Sequence, residues 1–130
     1  MDEREFKNRT KKLALRTIKL VESLPKGITS EIIGKQLLRS ATSVGANYRA
    51  TCRGKSSADV INKLCIVEEE ADESIYWMEL LIESGSVPEP KLTNLLSEIN
   101  EIVAMTVASI KTIRSHKQPI QNLKSKIQNA

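Results

Sequence analysis

Histidine, cysteine and aromatic residues are scarce in this chain, and each scarcity removes a class of chemistry. There is one histidine among 130 residues. It is His116, placed where the helical pattern weakens, so neither a Ser–His–Asp nor a Cys–His centre has a well-placed base. The acids of the middle of the chain lack any Glu-x-x-His motif, which excludes a di-iron bundle site. Cys52 and Cys65 are too few for a disulfide framework and have no zinc-type spacing. Both read as small core or near-core residues of a reduced, cytoplasmic chain. Aromatics make up 3% of residues, too few for an extended surface on which single-stranded bases stack. No apolar run approaches the roughly 20 residues of a membrane span, and Met1–Glu5 opens no signal peptide. Gly45 and Gly54 stand alone rather than forming a phosphate cradle. No alternating strand pattern and no solenoid repeat occurs. These absences leave no catalytic residue, no metal ligand set and no cofactor to assign.

What remains is aliphatic and helical. Four amphipathic segments are predicted, at about residues 2–24, 29–53, 57–84 and 90–115, joined by short breaks. Phe6, Leu13, Leu20 and Leu24 share one stripe of the first. Pro25-Lys26-Gly27 stops it, with Gly27 suited to a left-handed position at the helix end. Thr29 or Ser30 is placed to cap the second segment, whose stripe is Ile33, Leu37, Ala41, Val44, Tyr48 and Cys52. Gly45 sits inside that stripe at a cost of roughly 1 kcal/mol relative to Ala, which makes sense if another backbone approaches there. Ser56 or Ser57 opens the third, with Asp59 placed for a capping box with Ser56. Its broad apolar face calls for two neighbours or a second subunit. The fourth segment frays near Ser115-His116. Pro119 interrupts the tail, residues 116–130, which is expected to be mobile or docked on a partner. Residues 1–115 thus form one all-α domain, an antiparallel up-down-up-down four-helix bundle.

Charge is divided along the chain. Residues 1–63 carry 14 Lys/Arg against 6 Asp/Glu, and residues 64–130 carry 6 against 10. Lys7, Arg9, Lys11, Lys12, Arg16 and Lys19 crowd the first helix, while Glu68 to Glu83 holds seven acids and no base. Such an asymmetry fits a surface for RNA or DNA backbone. It also fits attraction between neighbouring antiparallel helices or subunits, the reading preferred here.

The second helix carries a polar seam. Gln36, Ser40, Ser43 and Asn47 run along one flank, with Arg39 beside them, although small polar residues disfavour helix interiors. Arg39 can pair with Glu69 or Glu73 on the third helix. One reading is a lock on helix register; another is a ligand or RNA contact. A third class, an enzyme using Arg39 and Glu73 in a subunit cleft, has the least behind it.

The seam also carries a resemblance. Gln36-Leu37-Leu38-Arg39-Ser40-Ala41-Thr42-Ser43-Val44-Gly45-Ala46-Asn47 resembles the Q-L-x-R-[AS]-x-x-S-[IV]-x-x-N signature of the 23S rRNA intervening-sequence proteins, also called the four helix bundle protein family. The likeness continues through Arg53–Ser56, Asp59–Leu64 and Glu69–Leu81, spanning about residues 5–115. The chain departs from the branch that reads N-I-A-E-G, having Asn47-Tyr48-Arg49-Ala50-Thr51, and has Gly45 where proline is usual. The role of that branch's glutamate therefore does not carry over. The resemblance implies a four-helix bundle assembled into a ring-like homopentamer. Some family members are encoded in insertions of large-subunit rRNA genes. A related branch, the accessory variability proteins of diversity-generating retroelements, binds nucleic acid and a reverse transcriptase. No catalytic residues are established for the family. Carried over by motif, Arg39, Ser43, Asn47 and Glu73 are the positions of interest. The expected protein is non-enzymatic and homo-oligomeric, and binds RNA or DNA through the basic face of helix one. The alternative is a protein–protein scaffold or accessory subunit, for example of a reverse transcriptase.

Overall fold

A computed structural model of the protein describes residues 2–128, with side chains through residue 116. Four helices carry the fold: α1 (Glu3–Glu22), α2 (Ile28–Thr51), α3 (Ser57–Glu83) and α4 (Thr93–Gln128), with a 3₁₀ turn at Glu89–Lys91 before the last. Successive helices pack on one another and α4 closes back on α1, making the expected antiparallel bundle. The α1/α2 pairing shows the antiparallel register directly. Phe6 meets Tyr48, Thr10 meets Gly45, and Leu24 meets Gly34.

Each helix start has a local cause. Asp2 caps α1, its carboxylate accepting from the Glu5 N–H at 2.7 Å, and Glu3 and Glu5 complement the helix dipole in the first turn. Ser56 caps α3 as expected, accepting from the Asp59 N–H at 3.1 Å. The reciprocal contact of the capping box is displaced by one residue, because Asp59 accepts from the Lys55 N–H at 3.0 Å. The α2 start departs from expectation. Neither Thr29 nor Ser30 caps it; Gly27 does, without a side-chain hydrogen bond. Gly27 has φ 146°, a conformation that side chains resist, so it turns the chain into α2 rather than closing α1, which ends on Ser23. Ser30 is then drawn into the first turn and buried.

The core is aliphatic. Phe6, Leu13, Leu37, Val44, Met78 and Leu81 are fully or almost fully buried in it. Gly45 is explained by close packing: a Cβ there would stand 3.3 Å from Thr10 Oγ1 and 3.5 Å from the Thr10 backbone carbonyl carbon. A smaller cluster of Ile61, Leu64 and Ile110, flanked by Tyr48, Cys65 and Ile113, closes one end. Buried hydroxyls satisfy themselves inside their own helices. Thr17 donates to the Leu13 carbonyl and Thr106 to the Ile102 carbonyl. Among the described residues no buried side-chain nitrogen or oxygen lacks a partner.

The fourth helix corrects the expected boundary. It does not end near Ser115-His116, and Pro119 does not break it; the helix continues to Gln128. Proline removes one backbone donor and disfavours the turn before it, a local penalty that has not ended the helix. The expectation that the tail is mobile or partner-docked concerns side chains outside the described residues.

Candidate functional site

The polar seam lies between α2 and α3 and joins them at two depths. At the buried level Ser40 and Ser74, both fully buried, have their Oγ atoms 2.7 Å apart. Ser40 Oγ lies 3.2 Å from the Leu37 carbonyl and Ser74 Oγ 2.8 Å from the Glu70 carbonyl. Each hydroxyl has one proton. One serine therefore donates across the interface while the other donates to its own helix, and both are satisfied either way round.

At the surface Arg39 spans the same interface. Its guanidinium pairs with Glu73 and, at 3.3 Å, with Glu70. Of the two expected partners, Glu73 is engaged and Glu69 is not. The second carboxylate is Glu70, which shares the α2-facing side of α3 with Glu73. Gln36 Oε1 accepts from Arg39 Nε at 3.3 Å, and Trp77 Nε1 donates to Glu73 at 3.2 Å. Ser43 and Asn47 take no part across the interface. Ser43 donates to the Arg39 carbonyl and Asn47 to the Ser43 carbonyl, both within α2.

The Arg39 hydrogen bond holds the Glu73 carboxyl below its ordinary value of 4.5 against the opposing effect of burial. A carboxylate lowered in the folded state stabilises the fold above its unfolded pKa, and that contribution disappears as pH falls through the folded pKa. Thermal denaturation followed from pH 7 to pH 3 should therefore show stability declining below about pH 4.5. Glu73→Gln should shallow that decline, by a modest amount because both partners are partly exposed.

The cations expected on one face of α1 are divided between two grooves. Lys7 and Lys11 line a groove of about 250 Å³ between α1 and α2, together with Arg49 of α2. Its other lining residues are small: Thr10, Ala14, Thr42, Gly45 and Ala46. Lys7 is paired there with Glu3 at 3.1 Å. Arg9, Lys12 and Arg16 line a second groove between α1 and α4, which also contains Glu5 and Glu98. Arg9 is committed within the fold. It bridges Glu98 at 2.7 Å and Glu101 at 2.6 Å, and the Glu98 hydrogen bond is the main cause of its raised pKa. Lys19 is exposed in the last turn of α1, where it complements the dipole. Arg49, Ser74 and Glu70 are thus the participants that sequence patterning does not single out. Of these, Arg49 is signalled by its place one turn beyond Gly45.

Both cysteines are free and half-buried. Burial pushes the Cys52 thiol up, which keeps it protonated and poorly nucleophilic near neutral pH. Among the described residues, no three His, Cys, Asp or Glu side chains group to hold a metal ion. No described helix is long and apolar enough to cross a membrane.

A four-helix bundle with a hydroxyl-and-arginine seam between α2 and α3 and a basic groove between α1 and α2 defines the class of all-helical protein to which the chain belongs. Residues 2–108 match the 23S rRNA-intervening sequence protein family, and the chain belongs to that family. It is similar to a solved structure from Bacteroides thetaiotaomicron, described as a protein of unknown function from the S23 ribosomal protein family. The two share 34% identity with a TM-score of 0.76, over 82% of this chain and 98% of that one. No curated protein matches the chain. Neither match names an enzymatic activity.

Proposed function

We propose that this is a non-enzymatic, homo-oligomeric cytoplasmic protein that binds the backbone of RNA or DNA through the α1/α2 groove. The observation behind this reading is the convergence of Lys7, Lys11 and Arg49 over a floor of small side chains. Small residues let a phosphate backbone come close, and cations from two helices give its charge a fixed track. The family's description as rRNA-intervening sequence proteins is consistent with such a ligand. Lys12, Arg16 and Lys19 extend the positive field, whereas Arg9 supports α1 from the α4 side. Among the described residues no aromatic side chain lines the groove to stack a base, so binding runs through the backbone and is weakly sequence-specific.

Fluorescence anisotropy with a labelled structured RNA, at 50 mM and 200 mM salt, tests the reading. About three neutralised phosphates give a slope of roughly −2 to −3 in log K against log salt. Absence of binding at the lower salt would remove nucleic acid from the function.

One observation favours the second reading, a protein–protein scaffold or accessory subunit of an enzyme such as a reverse transcriptase. Ile28 and Ile32 at the start of α2 are 74% and 56% exposed. They stand on the same helix turns as a shallow groove lined by Val21, Leu24, Pro25 and Leu38. Exposed aliphatics in a cluster suit a protein contact more than a phosphate one. Co-purification that survives nuclease treatment but is lost on Ile28→Asp/Ile32→Asp supports that reading.

A further inference from the structure

α1 and α3 are the diagonal pair of the bundle. Each packs between α2 and α4, so each turns one side to solvent, and the two sides face opposite ways. A helix that needs no further partner carries charged and polar residues on such a side. Both of these sides hold a large apolar side chain as well.

On α1 it is Leu15, 53% exposed, two residues from buried Leu13 and from buried Thr17. A step of two residues turns a side chain roughly 200° around a helix, so Leu15 points away from the core. Lys12 and Lys19 stand about one turn from it on either side, both exposed. Between Lys11 and Lys19 the helix has no acid. On α3 it is Tyr76, also 53% exposed, two residues from buried Ser74 and from buried Met78. Asp72 and Glu79 stand about one turn from it on either side, both exposed. Between Glu68 and Glu83 that helix has no base. Lys12, Lys19, Asp72 and Glu79 are in no ion pair among the described residues.

One exposed leucine or tyrosine alone is ordinary on a surface. Here the two rims agree in spacing and are opposite in sign. Lys12 precedes Leu15 by three residues and Lys19 follows it by four, while Asp72 precedes Tyr76 by four and Glu79 follows it by three. Two antiparallel helices that set Leu15 on Tyr76 therefore bring Lys12 level with Glu79 and Lys19 level with Asp72. An apolar centre inside a charged rim is the anatomy of a protein contact. Like faces do not pair, since two α1 faces would set lysine against lysine and two α3 faces carboxylate against carboxylate. Nor does a chain's own α1 face meet its own α3 face, because the two lie on opposite sides of the bundle.

We propose that the outward face of α1 around Leu15 in one copy docks antiparallel on the outward face of α3 around Tyr76 in a second copy, with Lys12 on Glu79 and Lys19 on Asp72. The proposal rests on the homo-oligomeric reading above and names the two faces that join the copies. Each copy offers one face of each kind on opposite sides, so the contact is head-to-tail and does not close at two copies. The groove lined by Lys7 and Arg49 lies on the α2 flank of α1, outside this contact.

Charge exchange tests it, read by light scattering and sedimentation equilibrium on the full chain. Lys12→Glu/Lys19→Glu and, separately, Asp72→Lys/Glu79→Lys should each weaken self-association at least about tenfold while helix content is kept, since all four side chains are exposed. Tyr76→Ser, which changes no charge, should weaken it too. One chain carrying all four charge substitutions should assemble again, because both sides of the contact are then reversed. If the double variants assemble as the wild type does, the oligomeric reading stands and this contact falls. A fourfold variant that stays folded but dissociated, or a wild-type assembly that stops at two copies, likewise overturns the proposal. If the wild-type chain is monomeric at every concentration, the contact and the oligomeric reading both fall. Loss of RNA affinity in Lys12→Glu/Lys19→Glu with unchanged assembly would assign the α1 face to nucleic acid and also overturn the proposal.

Discussion

Replacing Phe6 by alanine is expected to remove about 3–5 kcal/mol of stability, on the scale of large aromatic truncations in packed cores. Phe6 is 1% exposed and is the only phenylalanine in the chain. Its ring stands edge-on to Tyr48, with centroids 4.4 Å apart and planes at 86°, a geometry that adds to plain area burial. Tyr48 is the aromatic that stands against it, and protein interiors relax only partly around a lost ring. The cavity would therefore stay largely open. Since domains of this size are stable by only about 5–15 kcal/mol, the urea midpoint should fall steeply at constant slope. Phe6→Leu should retain much of the stability, because the volume change is smaller. Equal midpoints for Phe6→Ala and wild type would mean that α1 is not anchored here.

Reversing Lys11 and Arg49 together is expected to weaken RNA binding on the order of a hundredfold at low salt, with a salt slope shallower by roughly one for each phosphate no longer neutralised. Both side chains line the α1/α2 groove and neither is engaged in an ion pair among the described residues. Arg9→Met is the informative control. The Arg9 guanidinium already belongs to Glu98 and Glu101, so its removal should leave RNA affinity nearly unchanged. It should lower stability instead, by stranding Glu98, whose side chain is 22% exposed. If Arg9→Met abolished binding while Lys11 and Arg49 proved dispensable, the nucleic-acid track would lie on the α4 side of α1.

The bundle is legible in the sequence because stripes of Leu, Ile, Val and Ala recur at helical spacing in all four segments. That periodicity fixes which side of a helix is buried. It does not say which neighbour covers a given flank. Patterning sends Arg39 towards α3, yet the choice between Glu69, Glu70 and Glu73 depends on the rotation of α3 about its own axis. The same limit applies to α1, whose cations look like one face when read along the chain. Helix packing turns Lys7 and Lys11 towards α2 and Arg9 and Arg16 towards α4. Capping at α2 departs from expectation for another reason. Thr29 and Ser30 have the right chemistry, but the path of the chain through Gly27 starts the helix before either is reached. Ser74 is legible only as part of an apolar stripe; its hydroxyl matters because Ser40 faces it. At α4, Pro119 removes a single backbone donor, which is less than a helix of this length needs to end.

The weak embrace between α1 and α4 bears on how the molecule breathes. The two helices touch sparingly, whereas α2 and α3 are packed along much of their length. Partial opening of a bundle follows its least-secured seam. The α2–α3 hairpin should then behave as the last cooperative unit to exchange its amide protons, with α1 and α4 parting from each other while that hairpin persists. The helix that presents the basic groove is one of the two that part at this seam. A ligand spanning α1 and α2 would tie α1 to that hairpin, and its binding would be felt as slowed hydrogen exchange in α1.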